Sequence, residues 1–116
     1  SKNVLRGIHG DEKSWKIVTC VFGSIMQVVV DCRPNSRTFG KYVTFLINDD
    51  EPCLILIPPK FGNAYLVKSE FAVYHYKLAY NGEYLDAKDQ FSYKWNDSRF
   101  KIEWPILNPI LSNRDK

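Results

Sequence analysis

The chain alternates short runs of β-branched and aromatic residues with turn-forming residues along its whole length. No segment has the apolar periodicity of an amphipathic helix. Strands are predicted at 15–22, 25–30, 42–47, 53–57, 64–67, 71–79, 91–95 and 100–104. Many short strands with little helix predict an all-β protein, folded as an antiparallel jelly roll, a sandwich or barrel of two sheets.

Two pairs of turn-forming residues give local predictions. Pro58-Pro59 should end a strand, because proline cannot donate to a strand ladder. Gly62-Asn63 is a turn signal and predicts a break before the next strand. Within 71–79, side chains alternate between the two faces of a strand. Tyr74 and Tyr76 should therefore share one face.

Length and charge restrict the function classes. The chain has 116 residues, which predicts one domain with a small core, and 45% of them are hydrophobic. The formal net charge is +3 and the charges are scattered, so no nucleic-acid partner is expected. No apolar stretch is long enough to span a bilayer, and no signal peptide is visible. No membrane association is expected.

The cysteines and histidines exclude other site types. Cys20, Cys32 and Cys53 form an odd set without CxxC spacing, which argues against a disulfide framework or a structural zinc site. We expect them to be reduced and buried, in a cytoplasmic protein. His9 and His75 are the only histidines, too few and too far apart for a cupin metal centre, so no metal is expected.

Several short motifs follow one another in a recognisable order. They are Val4-Leu5-Arg6-Gly7-Ile8-His9, Asp31-Cys32-Arg33, Ser36-Arg37-Thr38-Phe39-Gly40-Lys41, Ile57-Pro58-Pro59-Lys60-Phe61-Gly62-Asn63-Ala64-Tyr65, Tyr76-Lys77, Trp95-Asn96-Asp97, Glu103-Trp104-Pro105 and Leu111-Ser112-Asn113-Arg114-Asp115. In order and spacing they resemble the dTDP-4-dehydrorhamnose 3,5-epimerase family. The resemblance implies that 1–116 is a single cupin-like epimerase domain that lacks N-terminal strands of the full family domain, and that the protein is a homodimer.

The resemblance implies a cofactor-free reaction on a nucleotide-diphospho-4-keto-6-deoxy sugar. The 4-keto group acidifies the protons at C3 and C5. A base removes one of them, the charge moves to the 4-oxygen, and an acid returns a proton from the opposite face. Such chemistry needs a base that titrates near neutrality, a donor at the oxyanion and an acid across the ring.

The resemblance assigns four catalytic residues. His9 corresponds to the proton-abstracting histidine and Asp115 to the carboxylate that orients it. Tyr76 corresponds to the proton donor, and Lys16 to the cation near the 4-oxygen. Each also has a structural interpretation: a core histidine, a solvated terminal carboxylate, a packing tyrosine and an exposed strand lysine.

Substrate-binding residues are predicted less directly. Arg6 is a candidate diphosphate contact, because a guanidinium fork suits phosphate, although a surface ion pair would look the same. In the segment where the family has two paired tyrosines, which help to hold the nucleotide, this sequence has Tyr80 and Tyr84 separated by three residues. Asn63 stands where the family usually has a second histidine, and an amide can hydrogen-bond but cannot pass a proton at neutral pH.

At these positions the sequence resembles the branch of the family that acts on GDP-linked 4-keto-6-deoxyheptoses in bacterial capsule synthesis. We therefore expect the substrate sugar to be linked to GDP or dTDP. Two alternatives remain open. One is a sugar-nucleotide 3,4-ketoisomerase on the same scaffold, and the other is a non-catalytic sugar-binding jelly roll.

Overall fold

A computed structural model of the chain describes residues 1–82 and 89–116. Within these ranges the strands are β1 Val4–Gly10, β2 Trp15–Phe22, β3 Ser24–Asp31, β4 Tyr42–Asn48, β5 Ile55–Ile57, β6 Phe61–Val67, β7 Val73–Ala79, β8 Phe91–Ser92 and β9 Ile110–Leu111. A short 3₁₀ helix, Asn113–Asp115, follows β9. The predicted all-β class with little helix is confirmed.

The described strands form two sheets. The six-stranded sheet has the order β4-β3-β6-β1-β8, with β9 also paired to β1, and the three-stranded sheet has the order β5-β2-β7. Neighbours run antiparallel, except that β9 runs parallel to β1. The two sheets form the predicted antiparallel sandwich.

Each face of the six-stranded sheet has its own apolar cluster. On one face, Val28, Val30, Ala64 and Leu66 are buried under aromatic residues of the C-terminal segment. On the other face, Ile25 and Val67 belong to a cluster that β2 joins through Cys20. Alternation along β3 and β6 therefore sends the intervening side chains toward the three-stranded sheet, where a cleft opens.

Three local predictions are wrong. Gly62-Asn63 is not a turn but lies inside β6, where a Cβ on Gly62 would come within 2.4 Å of Ile8 Cγ2, so the glycine serves a close approach between strands. Residues 100–104 do not form a strand; Phe100 is buried in an irregular segment that covers the sheet. Cys53 is exposed, although Cys20 and Cys32 are buried and all three are free thiols.

Two other local predictions hold, whereas the strand predicted at 91–95 is only Phe91–Ser92. β5 ends at Ile57, immediately before Pro58-Pro59. Tyr74 and Tyr76 both line the cleft between the sheets, so they share one face of β7. Within the described residues, no helix has the length and apolar character needed to cross a membrane.

Candidate active site

The cleft between the sheets has a volume of about 200 Å³ and receives side chains from both of them. His9, Asn63 and Tyr65 enter from the six-stranded sheet. Lys16 and Tyr76 enter from the three-stranded sheet. Four of the residues that the sequence assigned to the site are thus brought to one cavity.

Strand β1 delivers His9 through an irregularity in its pairing. The register between β1 and β6 shifts between Arg6 and His9. Gly7 lies in this interval with a φ of +126°, a conformation that L side chains rarely adopt, and a Cβ there would lie 2.5 Å from Ala64 Cβ. The glycine therefore permits the bulge after which His9 faces the cleft.

His9 and Asp115 form a dyad. His9 Nε2 lies 2.6 Å from Asp115 Oδ1, and the carboxylate is almost completely buried. Asp115 Oδ2 accepts hydrogen bonds from Ser112 Oγ at 2.9 Å and from the Gly7 amide at 3.4 Å. These donors hold the carboxylate in place, and the carboxylate fixes the imidazole by its Nε2 edge.

The other ring nitrogen, His9 Nδ1, lies 3.1 Å from Ser92 Oγ on β8. A carboxylate 2.6 Å from Nε2 favours the tautomer whose proton is on Nε2. Nδ1 is then the basic nitrogen of the neutral ring, and Ser92 can donate to it.

The surroundings of His9 lower its pKa. Burial of the ring contributes most, because it disfavours the imidazolium, and the positive charges of Arg114 and Lys16 act in the same direction. The Asp115 carboxylate opposes them. The balance leaves His9 neutral at pH 7, as a proton acceptor requires.

Lys16 and Tyr76 face the dyad from the other sheet. Burial is the largest cause that lowers the pKa of Lys16, Arg114 adds to it, and Asp11 opposes it. Asp11 is itself fixed in the β1–β2 turn, where its Oδ1 accepts from the amides of Lys13 and Ser14 at 2.9 and 2.6 Å. Tyr76 is 56% exposed and so is accessible to a ligand in the cleft.

Asn63 lies directly opposite His9 in the β1–β6 ladder. Its Oδ1 accepts a hydrogen bond from Gln27 Nε2 and lies 3.2 Å from the Tyr74 hydroxyl. Tyr74 donates to Gln27 Oε1 at 2.9 Å, and its ring stacks on Tyr65 with a centroid separation of 3.9 Å. Burial raises the pKa of Tyr74, so its phenol stays protonated and committed to this network.

The predicted nucleotide contacts are more scattered. Arg6 pairs with Tyr65 across β1 and β6, and its positive charge lowers the pKa of the Tyr65 phenol against the larger raising effect of burial. Tyr80 follows β7, is 39% exposed and is not among the residues that line the cleft. Tyr84 lies outside the described residues.

Sequence reasoning missed Arg114, which lines the cleft, and Gln27 and Ser92, which hydrogen-bond to cleft residues. Gln27 carried a signal, since it is one polar residue inside an apolar strand and is fully buried. Arg114 belongs to a family motif without an assigned role, yet it lines the cleft and bonds to Gln90 Oε1 at 2.7 Å. Ser92 carried no signal, because a short strand with a serine has no distinctive pattern.

The donor set suits acid–base chemistry. Residues 1–82 and 89–116 contain no cluster of three His, Cys, Asp or Glu side chains that could hold a metal ion. What the cleft does contain is a neutral imidazole with a buried carboxylate, a cation and an exposed phenol on facing walls. Such an arrangement can move a proton from one face of a small ring and supply one to the other.

Comparisons with known proteins agree on one family. The sequence profile described as dTDP-4-dehydrorhamnose 3,5-epimerase matches residues 1–116. The dTDP-4-dehydrorhamnose 3,5-epimerase of Escherichia coli strain K12 is 39% identical over 120 residues, covering 100% of this chain and 63% of its own length. The chain therefore spans less than two thirds of the curated relative that it matches.

Solved structures give the same result. The dTDP-6-deoxy-D-glucose-3,5-epimerase RmlC of Legionella pneumophila, in complex with dTDP-4-keto-L-rhamnose, superposes with a TM-score of 0.89 at 31% identity, over 98% of this chain and 61% of that one. ChmJ, a 3'-monoepimerase of Streptomyces bikiniensis in complex with dTDP-quinovose, has a TM-score of 0.88 at 29% identity, over 98% and 58%. The chain belongs to the dTDP-4-dehydrorhamnose 3,5-epimerase family.

Proposed function

We propose that the protein is a cofactor-free epimerase of a nucleotide-diphospho-4-keto-6-deoxy sugar and inverts C3, C5 or both. The observation that carries this proposal is the His9–Asp115 dyad, which faces Tyr76 across one cleft. Membership of an epimerase family adds support, as do the relatives solved in complex with dTDP-linked sugars.

In the proposed mechanism, His9 removes the proton beside the 4-keto group. The electron pair of the C–H bond forms the enolate, whose charge rests on the 4-oxygen. Asp115 stabilises the imidazolium that results, since a buried carboxylate at 2.6 Å favours the charged ring. Lys16 supplies positive charge to the developing oxyanion.

Tyr76 completes the inversion in this mechanism. It stands on the three-stranded sheet, whereas His9 stands on the six-stranded sheet, so a sugar ring between them presents opposite faces to the two side chains. Protonation of the enolate by the phenol gives the inverted carbon. The exposed phenolate then recovers a proton from solvent and the His9 imidazolium releases one, so both residues return to their starting states.

The candidate contacts for the nucleotide are the residues that the sequence resemblance assigned to it. Arg6 lies beside the cleft residue Tyr65 and could hold a diphosphate. Tyr80 and Tyr84 would contact the base. Because these tyrosines depart from the family's pairing, we propose a GDP-linked sugar, such as a 4-keto-6-deoxyheptose of a bacterial surface polysaccharide, before a dTDP-linked one.

A homodimer is the proposed assembly. Trp15, Ile17, Leu56 and Val73 on the three-stranded sheet are between 41% and 59% exposed, an apolar surface that a second copy of the chain could cover. The resemblance to the family implies the same assembly.

The activity is tested by solvent deuterium exchange. The full-length protein should be incubated in D₂O with GDP- and dTDP-linked 4-keto-6-deoxy sugars, and the products analysed by NMR. Deuterium at C3 or C5 together with an inverted configuration is expected. A product whose carbonyl has moved to C3 would indicate the ketoisomerase, and binding without any exchange would indicate a sugar-binding protein.

A further inference from the structure

Asn63 occupies a cleft position where a histidine is usual in this family, and its amide has a defined direction. Its Oδ1 is engaged by Gln27 Nε2 and lies near the Tyr74 hydroxyl. Among the described residues, Nδ2 of Asn63 has no hydrogen-bond partner, and Asn63 lines the cleft. The donor end of this amide is therefore available to a ligand.

The direction of the amide is set by the backbone. Gln27 Nε2 donates both to Asn63 Oδ1 and, at 3.3 Å, to the Val28 carbonyl. A carbonyl can only accept, so the nitrogen of Gln27 must be on that side, and Asn63 must then turn its oxygen to Gln27. The Tyr74 hydroxyl is consistent with this orientation of Gln27, because it donates to Gln27 Oε1.

We propose that Asn63 Nδ2 donates a hydrogen bond to the substrate oxygen on which negative charge develops, and that Gln27 is the positioning residue that aims it. The inference rests on the proposed function and deepens it. It adds an uncharged donor, which does not titrate, to the cation supplied by Lys16.

The location of Asn63 beside His9 favours the enolate oxygen of the substrate, rather than another substrate oxygen, as the acceptor of this hydrogen bond. Asn63 and His9 are register partners in adjacent strands, so their side chains emerge side by side on one wall of the cleft. The enolate oxygen is bonded to the carbon next to the one that loses its proton, and it therefore lies beside the base. A fixed donor with no free acceptor suits an oxygen that carries lone pairs and no proton.

The Asn63 amide is already oriented before substrate binds, so no reorientation is needed during the reaction. Gln27 is fully buried, and both of its donor hydrogens and its acceptor oxygen are hydrogen-bonded. Rotation of its side chain on substrate entry would break these bonds. A donor held in advance contributes more to an oxyanion than a mobile side chain does.

The first test changes the donor. Asn63→Ala should slow deuterium exchange into the 4-keto sugar by about 10²–10³-fold, the usual effect of losing one oxyanion donor. Asn63→Asp should slow it further, because a carboxylate oxygen would face the enolate. Affinity for the nucleoside diphosphate alone should not change in either variant. Exchange at the parent rate in Asn63→Ala would overturn the proposal.

A conservative replacement gives a second readout. In Asn63→His, a neutral imidazole can accept from Gln27 with one nitrogen and donate into the cleft with the other. Exchange should largely persist, and its pH profile should gain an ionisation that the parent lacks. Loss as large as in Asn63→Ala would contradict the donor role.

The role of Gln27 is tested by a double-mutant cycle. Gln27→Glu replaces the donor nitrogen and should turn the Asn63 amide, so that its oxygen faces the cleft and exchange falls about as far as in Asn63→Ala. In the Asn63→Ala background the same change should have no additional effect on exchange. Additive losses would mean that Gln27 acts structurally, and would overturn its positioning role.

A second Gln27 variant and NMR of the side-chain amides test the same orientation independently. If Gln27→Glu does not fold, Gln27→Met removes the same donors at similar volume and enters the same cycle. In the parent without substrate, ¹⁵N NMR should show the side-chain amide protons of Gln27 exchanging slowly and those of Asn63 quickly. Protected Asn63 protons would overturn the orientation, whereas an inactive parent with exposed Asn63 protons would reject the proposed function instead.

Discussion

His9 and Tyr76 stand on different sheets. In the proposed mechanism, that separation divides the two proton transfers between two side chains. Removal of a proton and its return on the other face are then separable by mutation. A site with base and acid on one wall could exchange protons but could not invert a carbon.

His9→Asn should abolish both deuterium exchange and inversion, because Asp115 is buried and no neutral base remains in the described cleft. Tyr76→Phe should keep exchange, since His9 can return a deuteron to the same face. Its inversion should fall by roughly 10²–10⁴-fold. NMR of the product measures both.

The matched control is Tyr74→Phe, which removes a phenol from the same face of β7 but one that is committed to Gln27. Its inversion should fall much less than that of Tyr76→Phe. Exchange at the normal rate in His9→Asn, or parental inversion in Tyr76→Phe, would show that the roles are assigned wrongly.

The second prediction concerns pH. Because His9 must be neutral to accept a proton and its pKa is lowered, kcat/KM should remain high below pH 6.5 and fall only as pH drops through the lowered value. Arg114 is one cause of the lowering. Arg114→Gln should therefore move the acid limb of the profile to higher pH.

Arg99→Gln is a control for the loss of one positive charge, since Arg99 is exposed and pairs with Asp97 rather than with the cleft. Its acid limb should coincide with that of the parent. An acid limb that moves to lower pH in Arg114→Gln would contradict the assignment of His9 as the group observed.

Among the elements, the β3–β4 connection depends on one carboxylate. Asp31 at the end of β3 is buried and accepts from Arg33 Nε at 3.0 Å, from Arg33 Nη2 at 2.9 Å and from Ser36 Oγ at 2.8 Å. The hydrogen bonds from Arg33 contribute most to the lowering of its pKa, and those from Thr38 and Ser36 add to it. The loop is thus organised around an ionised side chain.

Asp31→Asn should reduce the free energy of unfolding at pH 7 by about 1–3 kcal/mol, the usual range for a charge-assisted hydrogen bond to a buried group. A lowered pKa means that the stabilisation is present above about pH 4 and is lost as pH falls through the folded-state value. Urea unfolding at several pH values should therefore show the difference from the parent shrinking in acid.

Asp97→Asn provides the comparison. Asp97 pairs with Arg99 in the same two-residue spacing, with Nη2–Oδ2 at 2.8 Å, but it is less buried than Asp31. Its substitution should cost well under 1 kcal/mol. Equal losses in the two variants would show that burial of the carboxylate does not decide how much such a pair stabilises the fold.

Strand positions were predictable to the extent that local sequence decides them. Runs such as 15–22 became strands with the expected bounds. Gly62-Asn63 led to a wrong prediction, because a glycine needed for close packing has the same sequence signal as a glycine needed for a turn. Residues 100–104 led to another, since aromatic residues that cover a sheet resemble those that form one.

The site was predictable where a motif carried it. The resemblance supplied His9, Lys16, Tyr76 and Asp115, and the structure places them at one cleft or in contact with it. The hydrogen bond between Gln27 and Asn63 joins residues 36 positions apart, and no local pattern encodes such a contact. The direction of an amide in particular depends on neighbours that only the fold supplies.

For the whole molecule, the two sheets differ in what covers them. The six-stranded sheet has apolar clusters on both faces, whereas β2 and β5 expose Ile17 and Leu56 side by side. A charged pair at this surface should oppose burial by a second copy, because desolvating like charges is costly.

The fourth prediction follows. Ile17→Lys with Leu56→Lys should convert the proposed dimer to a monomer in sedimentation velocity, with an unchanged circular dichroism spectrum. Leu107→Lys is the control, because Leu107 is 88% exposed in the C-terminal segment and should leave the dimer intact. A dimer that survives the double change would place the interface elsewhere.

The Gly7 amide and the Asp115 carboxylate lie 108 residues apart in sequence, and they meet in the dyad. During synthesis, His9 therefore leaves the ribosome well before the carboxylate that it contacts in the folded protein. Until Asp115 has docked beside β1, the base of the proposed mechanism lacks the carboxylate that fixes its orientation. In the proposed mechanism, proton abstraction therefore requires that this long-range contact has formed.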